Sequence, residues 1–336
     1  MQDDDDADGG ACMTRRDESR EGSTRALPRD AVQRLRNAAN GLVGEIRTQQ
    51  RRTLQPQREA ESGGDWKSLF DELRTRIGTL GMTESDPQVD DFGLQADFVE
   101  RLLPLLDFLF DRYWRVELRA DWNLPSRGPV LLVANRAGVL PWDGMMLSHA
   151  ASRLFDDNAR PRFLVEDEVL RLPFAQAQFA RVGGVRASTE NFNDLAGQGH
   201  SVVHFPEGAR GVLHSFRERY RVGSFESLDV IEAALERGMR IVPVGVVGAE
   251  EAVPRLGDAR VLSRLVAREI DIPILPMTPT FPLLGPLGLL PLPSRWVITF
   301  GEPVEGGTVA EVADTLHDGV KGLVEQGLDA RSSTWL

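Results

Sequence analysis

The sequence predicts an α/β domain: a largely parallel sheet flanked by helices, preceded by N-terminal amphipathic helices. Three observations carry this. Short continuous apolar runs such as "PVLLVAN" (129–135) and "RIVPVGVVG" (240–248) read as strands buried on both faces. From about residue 96 such runs alternate with helical patterns, the signature of a layered α/β domain. The chain has 336 residues, 41% hydrophobic and 27% charged, which is enough for one large or two medium domains with a real core.

Taken in order, residues 1–28 open with "MQDDDDADGG" and contain few large apolar groups, so they read as a disordered acidic tail. Their acidity excludes a secretory signal. Asp30 followed by Gln33 is a capping-box signal, and Val32, Leu35, Ala39, Leu42 and Ile46 then recur at steps of three and four. This helix over 30–46 carries a seam of about two heptads, which either docks on the protein's own body or self-associates. Residues 47–64 are a linker by composition. Trp66, Leu69, Phe70, Leu73, Ile77 and Leu80 mark a second amphipathic helix, stopped at Gly81. The expected boundaries are a tail at 1–28, a helical extension with linker at 29–90 and the main domain at 91–336.

Within the main domain, "ADFVERLLPLLDFLFDRYWRVEL" is an apolar helix running toward a strand near 114–119. "PVLLVAN" is a buried strand and "GMMLSHAAS" the next helix. "RFLVED" is a strand, "LPFAQAQFARVG" a helix, and "SVVHFPEG" a strand entering a turn. "SLDVIEAALERG" is a helix closed by Gly238, and "RIVPVGVVG" a further buried strand. "SRWVITFGEPV" is a late strand and "VAEVADTLHDGVKGLVEQ" the closing helix. Function in such sheets sits at the C-terminal ends of the strands.

The net charge of −12 argues against a nucleic-acid partner, whose affinity would come from phosphate neutralisation. The single cysteine, Cys12, forms no intrachain disulfide, which fits a reducing compartment. No run of 18 apolar residues exists, so no spanning helix is expected. The histidines and carboxylates show no metal-ligand spacing, and neither a GxGxxG nor a Walker loop is present, so no cofactor is expected.

Four blocks remain, in order: "NRAGVLPWD" (135–143), "GGVRAS" (183–188), "HFPEGARG" (204–211) and "VPVGVVGAEE" (242–251). Together they resemble the glycerophospholipid acyltransferases of the 1-acylglycerol-3-phosphate type, over roughly residues 90–305. The resemblance implies transfer of a fatty acyl group from acyl-CoA or acyl carrier protein to the hydroxyl of a glycerol-phosphate or lysophospholipid. It also implies a cytoplasmic protein peripheral to the inner face of the membrane. In the family's first block a His removes the proton from the attacking hydroxyl, and an Asp orients the imidazole. Asp143 occupies the place of that Asp, but Arg136 stands where the His should be. Six residues separate the two, against the usual four. A guanidinium has no acceptor and a pKa above ~12, so Arg136 cannot serve as a neutral base. An Arg136–Asp143 ion pair across the loop is the expectation.

For the other blocks the resemblance implies acceptor binding. Arg186 would meet a phosphate, for which its planar fork is apt. Phe205, Pro206, Glu207, Gly208 and Arg210 would form the turn that holds the acceptor's glycerol and phosphate region. Glu207 would orient an arginine or a hydroxyl. Val242, Pro243 and Val244 would line the acyl pocket or belong to the core. His204, next to the turn, reads as a half-buried strand residue. The apolar loop "FPLLGPLGLLPLP" (281–293) meets the bilayer interface, covers the acyl tunnel or packs on the core. The alternative to turnover is a catalytically silent relative that binds acyl-lipid or a partner through the retained fold.

Overall fold

The computed structural model describes residues 66–79, 88–120, 129–138, 140–155, 160–171, 175–212, 216–254 and 290–334. The acidic tail, the 30–46 helix, the 47–64 linker, Gly81 and most of the apolar loop (281–289) lie outside the described residues.

Helix α1 (Trp66–Thr79) is followed by α2 (Ala96–Phe108), whose last turn widens into a π-helix at Leu109–Tyr113. The chain then alternates strand and helix. Strands are β1 (Glu117–Ala120), β2 (Val130–Ala134), β3 (Arg162–Val165), β4 (Gly184–Arg186), β5 (Val202–His204), β6 (Arg240–Val247) and β7 (Val297–Phe300). The helices between and after them are α3 (Trp142–Ser152), α4 (Asp167–Leu170), α5 (Ala175–Arg181), α6 (Thr189–Gly197), α7 (Gly208–Val212), α8 (Asp229–Glu236), α9 (Ala249–Ala252) and α10 (Val309–Ala330).

The seven strands lie in the order β1-β7-β6-β2-β5-β3-β4. All neighbours are parallel except β6 and β7, which run antiparallel with Val244 opposite Phe300. The sheet is thus the largely parallel one expected. β2 is wholly buried at its centre, which is why its sequence is uninterrupted apolar. The strand expected near 114–119 starts later, at Glu117, because the chain leaves the π-helix through Arg115, at φ +46°.

Side-chain parity sorts the core into two layers. Leu132, Ala134, Val203, Phe205, Val242 and Val244 face α2 and α3, joined by Leu69 and Leu73 of α1. Leu131, Val133, Val202 and Ile241 face α6, α8 and α10, where Phe192, Val230 and Leu316 cover them. Val242 and Val244 are therefore plain core. At the described end of the apolar loop, the Pro291 and Leu292 carbonyls accept from the Tyr113 hydroxyl (2.7 Å) and the Trp114 indole (3.0 Å). Trp114 stacks on Trp296 at 4.5 Å between ring centroids. That end of the loop packs on the core.

Candidate active site

The C-terminal ends of β2, β3, β5 and β6 bring together Arg136, Glu166, Glu207 and Glu250. Each follows directly on its strand or within a few residues of it, where the parallel sheet leaves room for side chains. Asn135 extends the β2–β6 pairing with its side chain. Its amide donates to the Val246 carbonyl at 2.9 Å and accepts from the Val246 N–H at 2.8 Å. This fixes the backbone from which Arg136 projects.

Arg136 is buried and ion-paired with Asp143, as the loop spacing suggested. Asp143 stands in the first turn of α3, where its carboxylate also accepts from the N–H groups of Ala137 and Gly144, each at 2.8 Å. A helix N-terminus favours such a charge. The Arg136 Nη2 approaches Glu166 Oε2 at 3.3 Å. The guanidinium lies 4.8 Å from the centroid of the Phe205 ring. Gly211 closes over it from α7: a Cβ there would fall 2.6 Å from the Arg136 Cβ and 2.9 Å from the Glu207 Cβ. Burial lowers the Arg136 pKa, but Asp143, Glu166 and Glu207 outweigh it and leave the group above its ordinary value. Arg136 is a permanent cation.

Glu207 does not orient an arginine side chain or a hydroxyl, as expected from sequence. Its two oxygens accept from backbone N–H groups, those of Arg136 (2.9 Å) and Gly223 (2.7 Å). It ties the β2 loop to the 223–227 segment, whose Glu226 N–H in turn bonds the Pro206 carbonyl at 2.8 Å. Gly208 adopts φ +56°, which the turn after Pro206 and Glu207 requires. Phe205 is core-facing and carries the Arg136 guanidinium.

Arg186 and Arg210 stand on the surface with partners of their own. Arg186 makes a two-bond fork to Asp167, at 2.6 and 2.7 Å. Arg210 pairs with Glu226 at 2.6 Å. Exposed pairs of this kind contribute little, so an anionic ligand can displace them.

Three acids were missed in the sequence. Glu166 is buried beside Arg136, with Oε2 lacking any hydrogen-bond partner. Glu250 accepts from the Tyr220 N–H at 2.8 Å, and Glu251 binds the Tyr220 hydroxyl and, at 2.9 Å, Arg331. Their only signal was position after a strand, with Glu250 and Glu251 in the fourth block and Glu166 in none of the four.

The histidines lie elsewhere. His204 is fully buried rather than half-buried and faces the α8 side of the sheet, opposite Phe205 and Arg136, with Nε2 bonded to the Ser227 carbonyl at 3.1 Å. His149 sits in the last turn of α3, between Asp107 and Arg160. Burial pushes both imidazoles down to about 4. His214 lies outside the described residues. Among the described residues no group of three or more His, Cys, Asp or Glu is placed to hold a metal ion.

Burial pushes Glu166 up to about 7 against the opposing charge of Arg136, and Glu207 likewise to about 7 against its backbone N–H donors. Glu250 is raised well above the ordinary carboxylate value, by burial and by Glu207. A carboxyl raised in the folded state gives stability that is complete below its unfolded pKa and is lost as pH rises through the folded one. The histidines, lowered when folded, act in the opposite sense, but only below about 6.5. Between pH 6.5 and 8 the carboxyls therefore dominate. Unfolding free energy by denaturant titration is expected to fall by roughly 1 kcal/mol over that interval for each of Glu166 and Glu207. Glu166→Gln should flatten the slope by one such step.

Residues 115–247 match the family model described as Acyltransferase. Over that span the chain is similar to the acyltransferase family. The family resemblance drawn from the four blocks thus holds, and all four lie within or across the end of that span. An uncharacterized protein of Mycobacterium leprae (strain TN) is 42% identical over 220 residues, which cover 65% of this chain and 59% of the relative. One from Mycobacterium tuberculosis (strain ATCC 25618 / H37Rv) is 40% identical over 220 residues, covering 65% and 60%. The chain matches about three fifths of the length of these relatives. Phytyl ester synthase 2, chloroplastic, of Arabidopsis thaliana is 28% identical over 280 residues, covering 73% of this chain and 38% of the enzyme. The solved structure of the 1-acyl-sn-glycerophosphate (LPA) acyltransferase PlsC from Thermotoga maritima shares 16% identity, with a TM-score of 0.46, covering 80% of this chain and 97% of PlsC.

Proposed function

We propose that this protein transfers a fatty acyl group from acyl-CoA or acyl carrier protein to a lipid hydroxyl, with a glycerol-phosphate or lysophospholipid as acceptor. The observation that carries the reading is the meeting of the first and third blocks: Glu207 of the turn binds the backbone of Arg136, and Arg136 binds Asp143. These blocks are far apart in sequence and share one buried network at the ends of β2 and β5. Arg186 and Arg210 flank it, each held by a displaceable acid, and would receive the acceptor's phosphate. The protein would work as a peripheral protein on the cytoplasmic face of a membrane. No helix among the described residues is long and apolar enough to cross one.

A second reading is favoured by the state of Arg136. The residue in the proton-removal position is a cation locked by Asp143 and Glu166, as a silent, acyl-lipid-binding relative would have it. One assay separates the two. Purified protein receives radiolabelled acyl-CoA or acyl carrier protein with glycerol-3-phosphate, lysophospholipid or phytol, the last because phytyl ester synthases are among the relatives. The wild type is expected to form labelled product. Product from Arg136→His alone, or tight acyl-lipid binding without turnover in either protein, would establish the silent reading.

A further inference from the structure

The attacking hydroxyl must lose a proton as its oxygen bonds to the thioester carbonyl, and Arg136 cannot receive it. The neighbouring groups can be tested one by one for a free acceptor. Asp143 has both oxygens engaged, by Arg136, Ala137 and Gly144. Glu207 has both engaged, by the N–H groups of Arg136 and Gly223. Glu250 accepts from the Tyr220 N–H, and burial together with Glu207 raises it well above the ordinary carboxylate value. His204 points to the other face of the sheet, and His149 has both ring nitrogens bonded at the far end of α3.

Glu166 is different. It ends β3, beside β5, and is buried within 3.3 Å of the Arg136 guanidinium. It also bonds its own backbone N–H, while Oε2 carries no hydrogen bond. Two Arg136 nitrogens, Nε and Nη2, are likewise without hydrogen-bond acceptors. Glu166 Oε2 and Arg136 Nη2 thus face each other as an ion pair without a hydrogen bond, and Arg136 Nε has no acceptor beside them.

Resting on the acyl-transfer reading, we propose that Glu166 is the catalytic base in place of the missing histidine. The acceptor O–H gives its proton to Glu166 Oε2 as the new C–O bond forms. The Arg136 Nε and Nη2 N–H groups, which lack hydrogen-bond acceptors, stabilise the oxyanion of the tetrahedral intermediate. That intermediate collapses with cleavage of the C–S bond, and the departing thiolate takes the proton back from Glu166. Burial supports the assignment by raising Glu166 to about 7, where a base at neutral pH is most effective. The charged groups that face it are Arg136, Asp143 and Glu168. Arg210, on the α7 helix packed against α4, is neutralised by Glu226.

The test is steady-state kinetics with acyl-CoA and the best acceptor of the panel above, from pH 5.5 to 9. Wild-type kcat/KM is expected to rise with pH through a single step near 7. Glu166→Gln should lower kcat by about 10²–10⁴-fold, leave the donor KM within a few-fold, and remove the step. Glu166→Asp should restore part of kcat and keep a step. Thermal melts of each variant check folding. If Glu166→Gln fails to fold, the wild-type profile and Glu166→Asp decide, and a flat profile overturns the proposal. Wild-type turnover with Glu166→Gln unchanged overturns the base assignment alone. No wild-type turnover overturns the acyl-transfer reading and this assignment together.

Discussion

Arg136→Leu is expected to destabilise the domain by about 3–5 kcal/mol at pH 8, as loss of one partner from a buried ion cluster does. The guanidinium is the only cation in contact with Asp143 and Glu166 among the described residues, and its backbone N–H alone would remain on Glu207. Leucine fills the space over Phe205 but leaves two buried carboxylates facing each other. The loss should shrink toward pH 5.5, because Glu166 and Glu207 already titrate near 7 and removing Arg136 raises them further. Protonation then removes the repulsion at no cost in packing. The histidine contributions are common to both proteins and cancel in the difference. Denaturant titrations of both proteins at pH 5.5 and 8 measure this. An equal loss at both pH values would mean that Arg136 stabilises by packing rather than by charge.

Gly248→Ala is expected to cost about 2–5 kcal/mol, the sum of a left-handed backbone penalty and an overpacked core. Gly248 ends β6 at φ +103°. A Cβ there would fall 2.4 Å from the Arg295 carbonyl oxygen and 2.9 Å from the Trp296 Cα and ring. The obstacle is backbone, which cannot swing aside. Trp296 stacks on Trp114, so a shift would also disturb the aromatic cluster that holds the end of the apolar loop. The same turn positions Glu250 and Glu251, so the proposed acyl transfer should fall with stability. Melting temperature and turnover measured on one preparation check both. Unchanged melting would show that the turn tolerates a side chain.

Much of the fold was legible because it rests on local pattern. β2 and β6 are buried on both faces and so read as continuous apolar runs, and Gly238 closes α8 at φ +63°. The antiparallel course of β7 was not legible, since "VITF" has the same character in either direction. The Arg136–Asp143 pair was legible from opposite charges at the two ends of one short loop. Glu166 was not. In "RFLVEDE" it looks like the first of three solvated acids, and its burial depends on β3 lying beside β5, which no local signal announces. The pairing of Arg186 with Asp167 and the capture of Glu207 by backbone donors depend on the same long-range placement. His204 needed only strand parity: it stands one residue from Phe205 and therefore on the opposite face.

The shared network of Arg136, Asp143 and Glu166 also bears on how such a site can change over evolutionary time. A neutral histidine at 136 would strand the Glu166 charge in the interior, and a neutral partner at 166 would leave the arginine half-compensated. Neither position can drift alone without passing through a weakened protein. The two are entrenched together, and in diverging lineages they should be exchanged as a pair.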